Sequence, residues 1–137
     1  MKQRILIISD DRTSESLRRA LDEMGFEVKL RENADDGYRQ LVATRFHLVL
    51  VNLDRAITGA NLIKRIRANP SLSQLRVMTI AEWGTGQATI ALAQGADAFE
   101  PKPVEVGRLA EAVERLLRPI MVKTARASAL NGDLEES

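Results

Sequence analysis

Charged and amide side chains follow several short apolar runs of the sequence, where they could take part in chemistry. Asp10 and Asp11 follow the first run, Asn52 and Asp54 close the third, and Lys102 lies just past the fifth. Paired carboxylates suit a hard divalent ion such as Mg²⁺. A lysine is a compact positive charge that suits a phosphate group or a carboxylate cluster. If these side chains meet in space, they form a site for a cation or a phosphoryl group.

Other common catalytic arrangements have no support in the sequence. The chain has no cysteine, which excludes thiol nucleophiles, thiolate metal sites and disulfides within it. Its one histidine, His47, opens the third apolar run at the opposite end from Asn52, and we interpret it as structural. Ser9 has no neighbouring base, so a hydrolytic triad is unsupported. No glycine-rich phosphate loop follows the first run.

Composition gives no reason to expect a nucleic-acid or membrane partner. The net charge is +1 over 137 residues, so no global field attracts polyanions. The densest basic stretch, residues 64–67, is predicted to form a solvated helix face. The longest strongly apolar segment, residues 46–53, is too short to span a bilayer, and the first apolar run is too short for a signal peptide. We therefore expect a cytoplasmic protein.

Strand and helix patterns alternate along the chain. Apolar runs predict strands at residues 5–8, 26–30, 46–53, 75–81 and 98–100. Apolar residues at helical spacing predict helices over residues 17–24, 38–42 (with Asn33 as N-cap), 62–66, 88–92 and 106–117. Five such units predict an α/β domain with a parallel sheet covered by helices on both faces. Residues 120–137 lack apolar periodicity and are expected to be a frayed or disordered tail.

This topology brings the polar residues together. In open parallel sheets, ligand sites lie outside the carboxyl ends of the strands. The residues that follow the first, third and fifth strands should therefore converge on one rim. These are Asp10, Asp11, Asn52, Asp54 and Lys102.

Several segments of the sequence match the pattern of a known family. The matching segments are ILIISDD at 5–11, MGFEV at 24–28, LVLVNL at 48–53 and GADAF at 95–99, followed by Lys102 and Pro103. In this order and at these spacings, they resemble the receiver domain of bacterial two-component response regulators over residues 3–119. The resemblance implies a flavodoxin-like (βα)₅ three-layer sandwich with sheet order 2-1-3-4-5. It also implies a domain at residues 1–119, with 120–137 as a C-terminal tail or the start of a linker.

The resemblance further implies roles for the rim. In receivers, the first-strand acid pair, here Asp10 and Asp11, holds Mg²⁺. An Asp ending the third strand accepts phosphate from a histidine kinase. A Thr or Ser ending the fourth strand and the lysine, here Lys102, bind the phosphoryl group. An aromatic residue on the fifth strand, here Phe99, swings inward as the domain switches.

Three departures from the family pattern fall at this rim. Asn52 stands at the phosphoacceptor position, and an amide lacks the anionic oxygen that attacks phosphorus. Ile80 stands where the switch hydroxyl should be. The loop at residues 55–59 is one residue short and has no proline. Without the hydroxyl, Phe99 has no evident trigger and is expected to be a core or rim aromatic.

These departures predict an atypical receiver, or pseudo-receiver, that acts as a phosphorylation-independent protein-interaction module and not as an enzyme. Its partner would be a histidine kinase or a downstream effector, which by resemblance would dock on the fourth helix, fifth strand and fifth helix around Phe99. We expect a monomer or weak homodimer. No cofactor is required, and Asp10 and Asp11 are a weak or vestigial Mg²⁺ site. Lys102 is predicted to be an internal counter-ion to Asp10 or Asp11.

Two other functions stay open at this stage. Asp54 could be a displaced phosphoacceptor, although positions two apart along a strand lie about 6.5–7 Å apart, which would carry it away from the metal and the lysine. A small flavodoxin-like hydrolase or phosphotransferase could use the acidic rim, but a general base is missing. Trp83 could anchor a partner or be partly buried over the site.

Overall fold

The computed structural model describes residues 2–12, 14–82 and 84–118, in which five strands alternate with five α-helices. The strands are β1 (Arg4–Ser9), β2 (Glu27–Arg31), β3 (Leu48–Asn52), β4 (Arg76–Glu82) and β5 (Ala98–Lys102). The helices are α1 (Ser14–Glu23), α2 (Ala34–Ala43), α3 (Ala56–Arg67), α4 (Gln87–Gln94) and α5 (Val106–Leu117). All strand pairs are parallel, in the order β2-β1-β3-β4-β5. The predicted flavodoxin-like α/β fold is confirmed.

Helices cover both faces of the sheet and make a three-layer structure. Alternate residues of each central strand face opposite layers, which explains why the runs of β1 and β3 are continuously apolar and why that of β4 is broken only by the buried Thr79. One layer packs α2, α3 and α4 against Leu6, Val49 and Val77. The other packs α1 and α5 against Ile7 and Leu50. Every residue of β3 is buried, Asn52 included.

Local sequence accounts for the ends of several helices. The side chain of Asn33 accepts a hydrogen bond from the backbone N–H of Asp36 at 2.8 Å, so the predicted N-cap of α2 is confirmed. Gly95 ends α4 with a φ of 117°, in the left-handed region that glycine adopts without strain. Glu105 caps α5 by accepting from two backbone N–H groups of its first turn.

Some elements differ from the sequence-based expectation. The helix predicted over 62–66 begins at Ala56, with only three residues between it and the end of β3. A short 3₁₀ helix, Pro70–Leu72, was not predicted; the side chain of Asn69 caps it through the N–H of Ser71. β5 runs to Lys102, two residues beyond the predicted end.

The expectations for Trp83 and for residues 120–137, and the domain boundary at 119, fall outside the described residues. None of the helices found in the described part of the chain has the length and apolar character needed to cross a membrane.

Candidate functional site

The carboxyl ends of the strands bring the predicted site residues to one rim. Ser9 at the end of β1 pairs in register with Asn52 at the end of β3. Across the sheet, Glu82 at the end of β4 pairs with Lys102 at the end of β5. The rim therefore carries an amide near its centre, with acidic loops on one side and a lysine on the other.

Asn52 is held in a small buried polar network below the rim. Its side-chain amide donates to Ser9 Oγ at 3.2 Å and to Ser14 Oγ at 3.5 Å. Ser14 Oγ in turn donates to Ser9 Oγ at 2.6 Å. All three residues are at most 3% exposed. Oδ1 of Asn52 is buried without a hydrogen-bond partner among the described residues. The position at which the family resemblance places the phosphoacceptor is therefore held by a neutral group that is tied to α1 through Ser14.

The acid pair is exposed on the loop after β1, and one of its members holds the loop after β3. The backbone N–H of Asp54 lies 3.3 Å from each carboxylate oxygen of Asp10 and donates to them. This contact confirms that the loops after β1 and β3 meet, as the topology predicted. It also places Asp54, whose side chain is exposed, beside the acid pair.

Lys102 does not take the role that the sequence suggested. No ion pair joins Lys102 to Asp10 or Asp11 within the segments that the structure describes, so the predicted internal counter-ion is wrong. The reason is its place in the sheet. Lys102 ends β5, beside β4 at one edge, while the acid pair follows β1, which lies on the other side of β3. The peptide bond from Lys102 to Pro103 is cis.

Ile80 and Phe99 lie on neighbouring strands near the same rim. Ile80 is 3% exposed and packs in the core layer between the sheet and helices α1 and α5. Thr79, the residue before it, pairs in register with Phe99 on β5. Because successive side chains alternate across a sheet, the Thr79 side chain faces away from that of Ile80. Phe99 is half-buried, as expected for a rim aromatic.

The donor set at this rim does not fit a three-carboxylate metal site. Mg²⁺ is held in proteins by one or two carboxylates together with waters. Over residues 2–12, 14–82 and 84–118, no group of three or more His, Cys, Asp or Glu side chains could hold a metal ion. Asp10 already accepts the N–H of Asp54, and Asn52 adds no charge.

Sequence reasoning missed three structural residues: two beside Asn52, and one at the opposite end of the sheet. Ser9 was considered only as a nucleophile without a base, and Ser14 was not considered, yet both hydroxyls accept from the side-chain amide of Asn52. Arg67 was assigned to a solvated face, but it donates to the carbonyls of Gly95 and Leu75 and to the carboxylate of Asp97, each within 2.9 Å. Its spacing from the apolar residues of α3 gave no signal of this role, because the partners come from distant loops.

Comparisons with known proteins agree with the fold of this domain. The response regulator receiver domain family matches residues 5–114. The response regulator MprA of Mycobacterium ulcerans (strain Agy99) is 29% identical over 120 residues, which cover 86% of this chain and 51% of that protein. A putative response regulator from Chloroflexus aurantiacus J-10-fl superposes with a TM-score of 0.79 at 25% identity, covering 85% of this chain and 98% of the other.

A third relative shows the fold alone. The chemotaxis response regulator CheY4 of Vibrio cholerae superposes with a TM-score of 0.79 at 17% identity, covering 85% of this chain and all of the other. On the family match, the chain belongs to the response regulator receiver domain family, whose members are the receiving modules of two-component signalling. The chain spans about half the length of the curated relatives it matches.

Proposed function

We propose that this receiver domain works without phosphorylation at its usual position, as a protein-interaction module in bacterial signalling. One observation carries the proposal: the neutral, buried Asn52 stands where receivers place the acceptor aspartate, and its amide is engaged by Ser9 and Ser14. An amide cannot attack phosphorus as a carboxylate does. Ile80, at the position of the family's switch residue, has no hydroxyl with which to bind a phosphoryl group.

The proposed partner is a histidine kinase or a downstream effector, bound by the face of α4, β5 and α5. The two helices that border it expose apolar side chains: Ile90 and Leu92 on α4 are 49% and 47% exposed, and Val106 on α5 is 37% exposed. An ion pair of 2.8 Å between Arg108 and Glu100 ties α5 to β5 beside Phe99. Exposed apolar residues with a polar rim are typical of protein interfaces.

The proposed function also covers catalysis, cofactors, location and oligomeric state. The domain is not an enzyme, requires no cofactor, and lies in the cytoplasm as a monomer or weak homodimer. Residues 1–119 are the domain, and residues 120–137 are a tail or the start of a linker. Asp10 and Asp11 bind Mg²⁺ weakly at most, because the third carboxylate of the usual site is replaced by an amide.

Asp54 is the one alternative acceptor that a specific contact favours. Its backbone N–H donates to Asp10, which brings an exposed carboxylate close to the acid pair. If Asp54 served as acceptor, one of its carboxylate oxygens would form a new bond to phosphorus while the bond between phosphorus and the donor oxygen breaks, and the remainder of the donor would depart with that electron pair.

Mass spectrometry of the intact chain separates the two functions. The chain would be incubated with Mg²⁺ and a small acyl phosphate, beside an ordinary receiver that carries the acceptor aspartate. We expect no adduct on this chain and a stoichiometric adduct on the ordinary receiver. A stoichiometric adduct that disappears in Asp54→Asn would overturn the proposal in favour of the displaced acceptor.

A further inference from the structure

The rim at the amino ends of the strands, opposite Asn52, is strongly basic. Lys2, Arg4, Arg45 and Arg76 lie there, at or just before the starts of β1, β3 and β4. Glu27 is the one acid that lines the clefts of this rim, and it pairs with Arg4 at 2.7 Å. Among the described residues, the other three cations form no ion pair. We call this surface the amino-end rim.

Two clefts open on the amino-end rim, and they share Arg45 and His47. The second cleft combines positive charge from Arg45 and Arg76 with apolar walls from Phe46, Leu116 and Leu117. Its chemistry fits a ligand that carries several carboxylates next to an apolar side chain.

The chain itself supplies such a segment. Leu116 and Leu117 end α5 and line the second cleft, so the polypeptide leaves the domain at the amino-end rim. Residues 133–136 read Asp-Leu-Glu-Glu, three carboxylates around one leucine. Asp133 follows Arg118 by fifteen positions, which allows a reach of up to about 50 Å at full extension. That length is ample for a return to the rim.

We propose that residues 133–136 dock on the amino-end rim of their own domain, with the carboxylates facing Arg45, Arg76 and Lys2 and with Leu134 against the apolar walls. Exposed ion pairs are individually weak, but a short tether raises the local concentration of the segment to the millimolar range. This inference concerns the end of the sheet opposite Asn52 and is independent of the proposed function.

A single spin label tests the docking, because the full chain has no cysteine of its own. Ser137→Cys would carry the label next to the acidic segment, and the backbone amide signals of Arg45, His47 and Arg76 would be followed by NMR. We expect these signals to be broadened selectively at low ionic strength. Raising the salt from ~0.01 M to ~1 M shortens the Debye length from about 30 Å to about 3 Å, and the broadening should then fall at least twofold.

Matched charge reversals provide the controls. Arg45→Glu combined with Arg76→Glu should abolish the selective broadening, while Lys64→Glu, on the exposed face of α3, should leave it unchanged. Broadening spread evenly over the domain, or insensitive to salt, would overturn the proposal. So would broadening that arises equally when the labelled chain is mixed with an isotope-labelled, label-free chain, since the contact would then be between molecules.

Discussion

Asn52 and Ser9, paired in register at the ends of β3 and β1, are joined by a side-chain hydrogen bond of 3.2 Å in a site that is closed to solvent. The contact makes Asn52, which we assign by resemblance to the phosphoacceptor position, part of the structural core. A carboxylate there would need a cation to offset its burial. The amide needs none, which agrees with the absence of an ion pair to Lys102 among the described residues.

Asn52→Asp should destabilise the domain in the absence of Mg²⁺ by about 1–3 kcal/mol, because it buries an uncompensated charge. Mg²⁺ should recover part of that loss by binding the native state. Urea denaturation with and without Mg²⁺ measures both effects. Asn61→Asp, at an exposed position of α3, is the matched control and should change stability by less than about 0.5 kcal/mol. A variant at residue 52 that matches the parent chain under both conditions would contradict this account of the site.

Arg67→Met should cost about 2–3 kcal/mol, because it leaves two carbonyls and the Asp97 carboxylate without their charged donor. Asp97 also accepts the backbone N–H of Val77 at 2.8 Å, so the loss should loosen the start of β5 against β4. Lys64→Met on the same helix, at an exposed position, should change stability far less. Thermal and urea denaturation compare the two variants, and equal losses would refute the assigned role of Arg67.

Two helical glycines should respond in opposite ways to alanine. A Cβ at Gly37 in α2 would collide with the side chain of Ile8, whose Cγ1 would lie only 2.6 Å away. Gly37→Ala should therefore cost about 1–3 kcal/mol through overpacking. At Gly59 in α3 the nearest atom, Val51 Cγ1, would lie at an ordinary 3.6 Å, and Gly59→Ala should gain up to about 1 kcal/mol from helix propensity. Denaturant midpoints of the two variants on the same side of the parent value would contradict this packing.

Surface carboxylates should make the stability fall in acid. Hydrogen bonds from Asn33 and then Arg39 lower the pKa of Asp36, and a hydrogen bond from Arg4 lowers the pKa of Glu27. A carboxyl whose pKa is depressed by folding adds stability above its unfolded pKa, and that stability is lost as pH falls through the folded pKa. We expect the melting temperature to drop as pH falls below about 4, and to drop less in Asp36→Asn. An unchanged slope in that variant would show that Asp36 contributes nothing.

The fold could be predicted well from the sequence because the patterns that indicate each strand and helix are local. The fully buried run of β3 and the pattern Val106–Leu117 of α5 mark their own elements without reference to the rest of the chain. It also predicted that the loops after β1 and β3 would meet, since parallel strands must end on one edge.

The remaining site contacts could not be predicted, since they depend on distances between elements. Whether Lys102 reaches the acid pair depends on the separation of β5 from β1 across the sheet. The network of Ser9 and Ser14 depends on how α1 sits over Asn52. The carbonyl groups that Arg67 binds belong to loops that only the tertiary fold brings next to α3. No pattern within α3 encodes those positions.

The central claim is that this receiver has lost its covalent switch, and the amide spectrum of the isotope-labelled chain tests it directly. Spectra would be recorded with Mg²⁺ before and after addition of a small acyl phosphate, following the signals of Asn52, Ile80, Phe99 and Lys102. We predict that these signals do not move. New positions for Phe99 and Lys102 that persist while the donor lasts and revert as it is consumed would contradict the account.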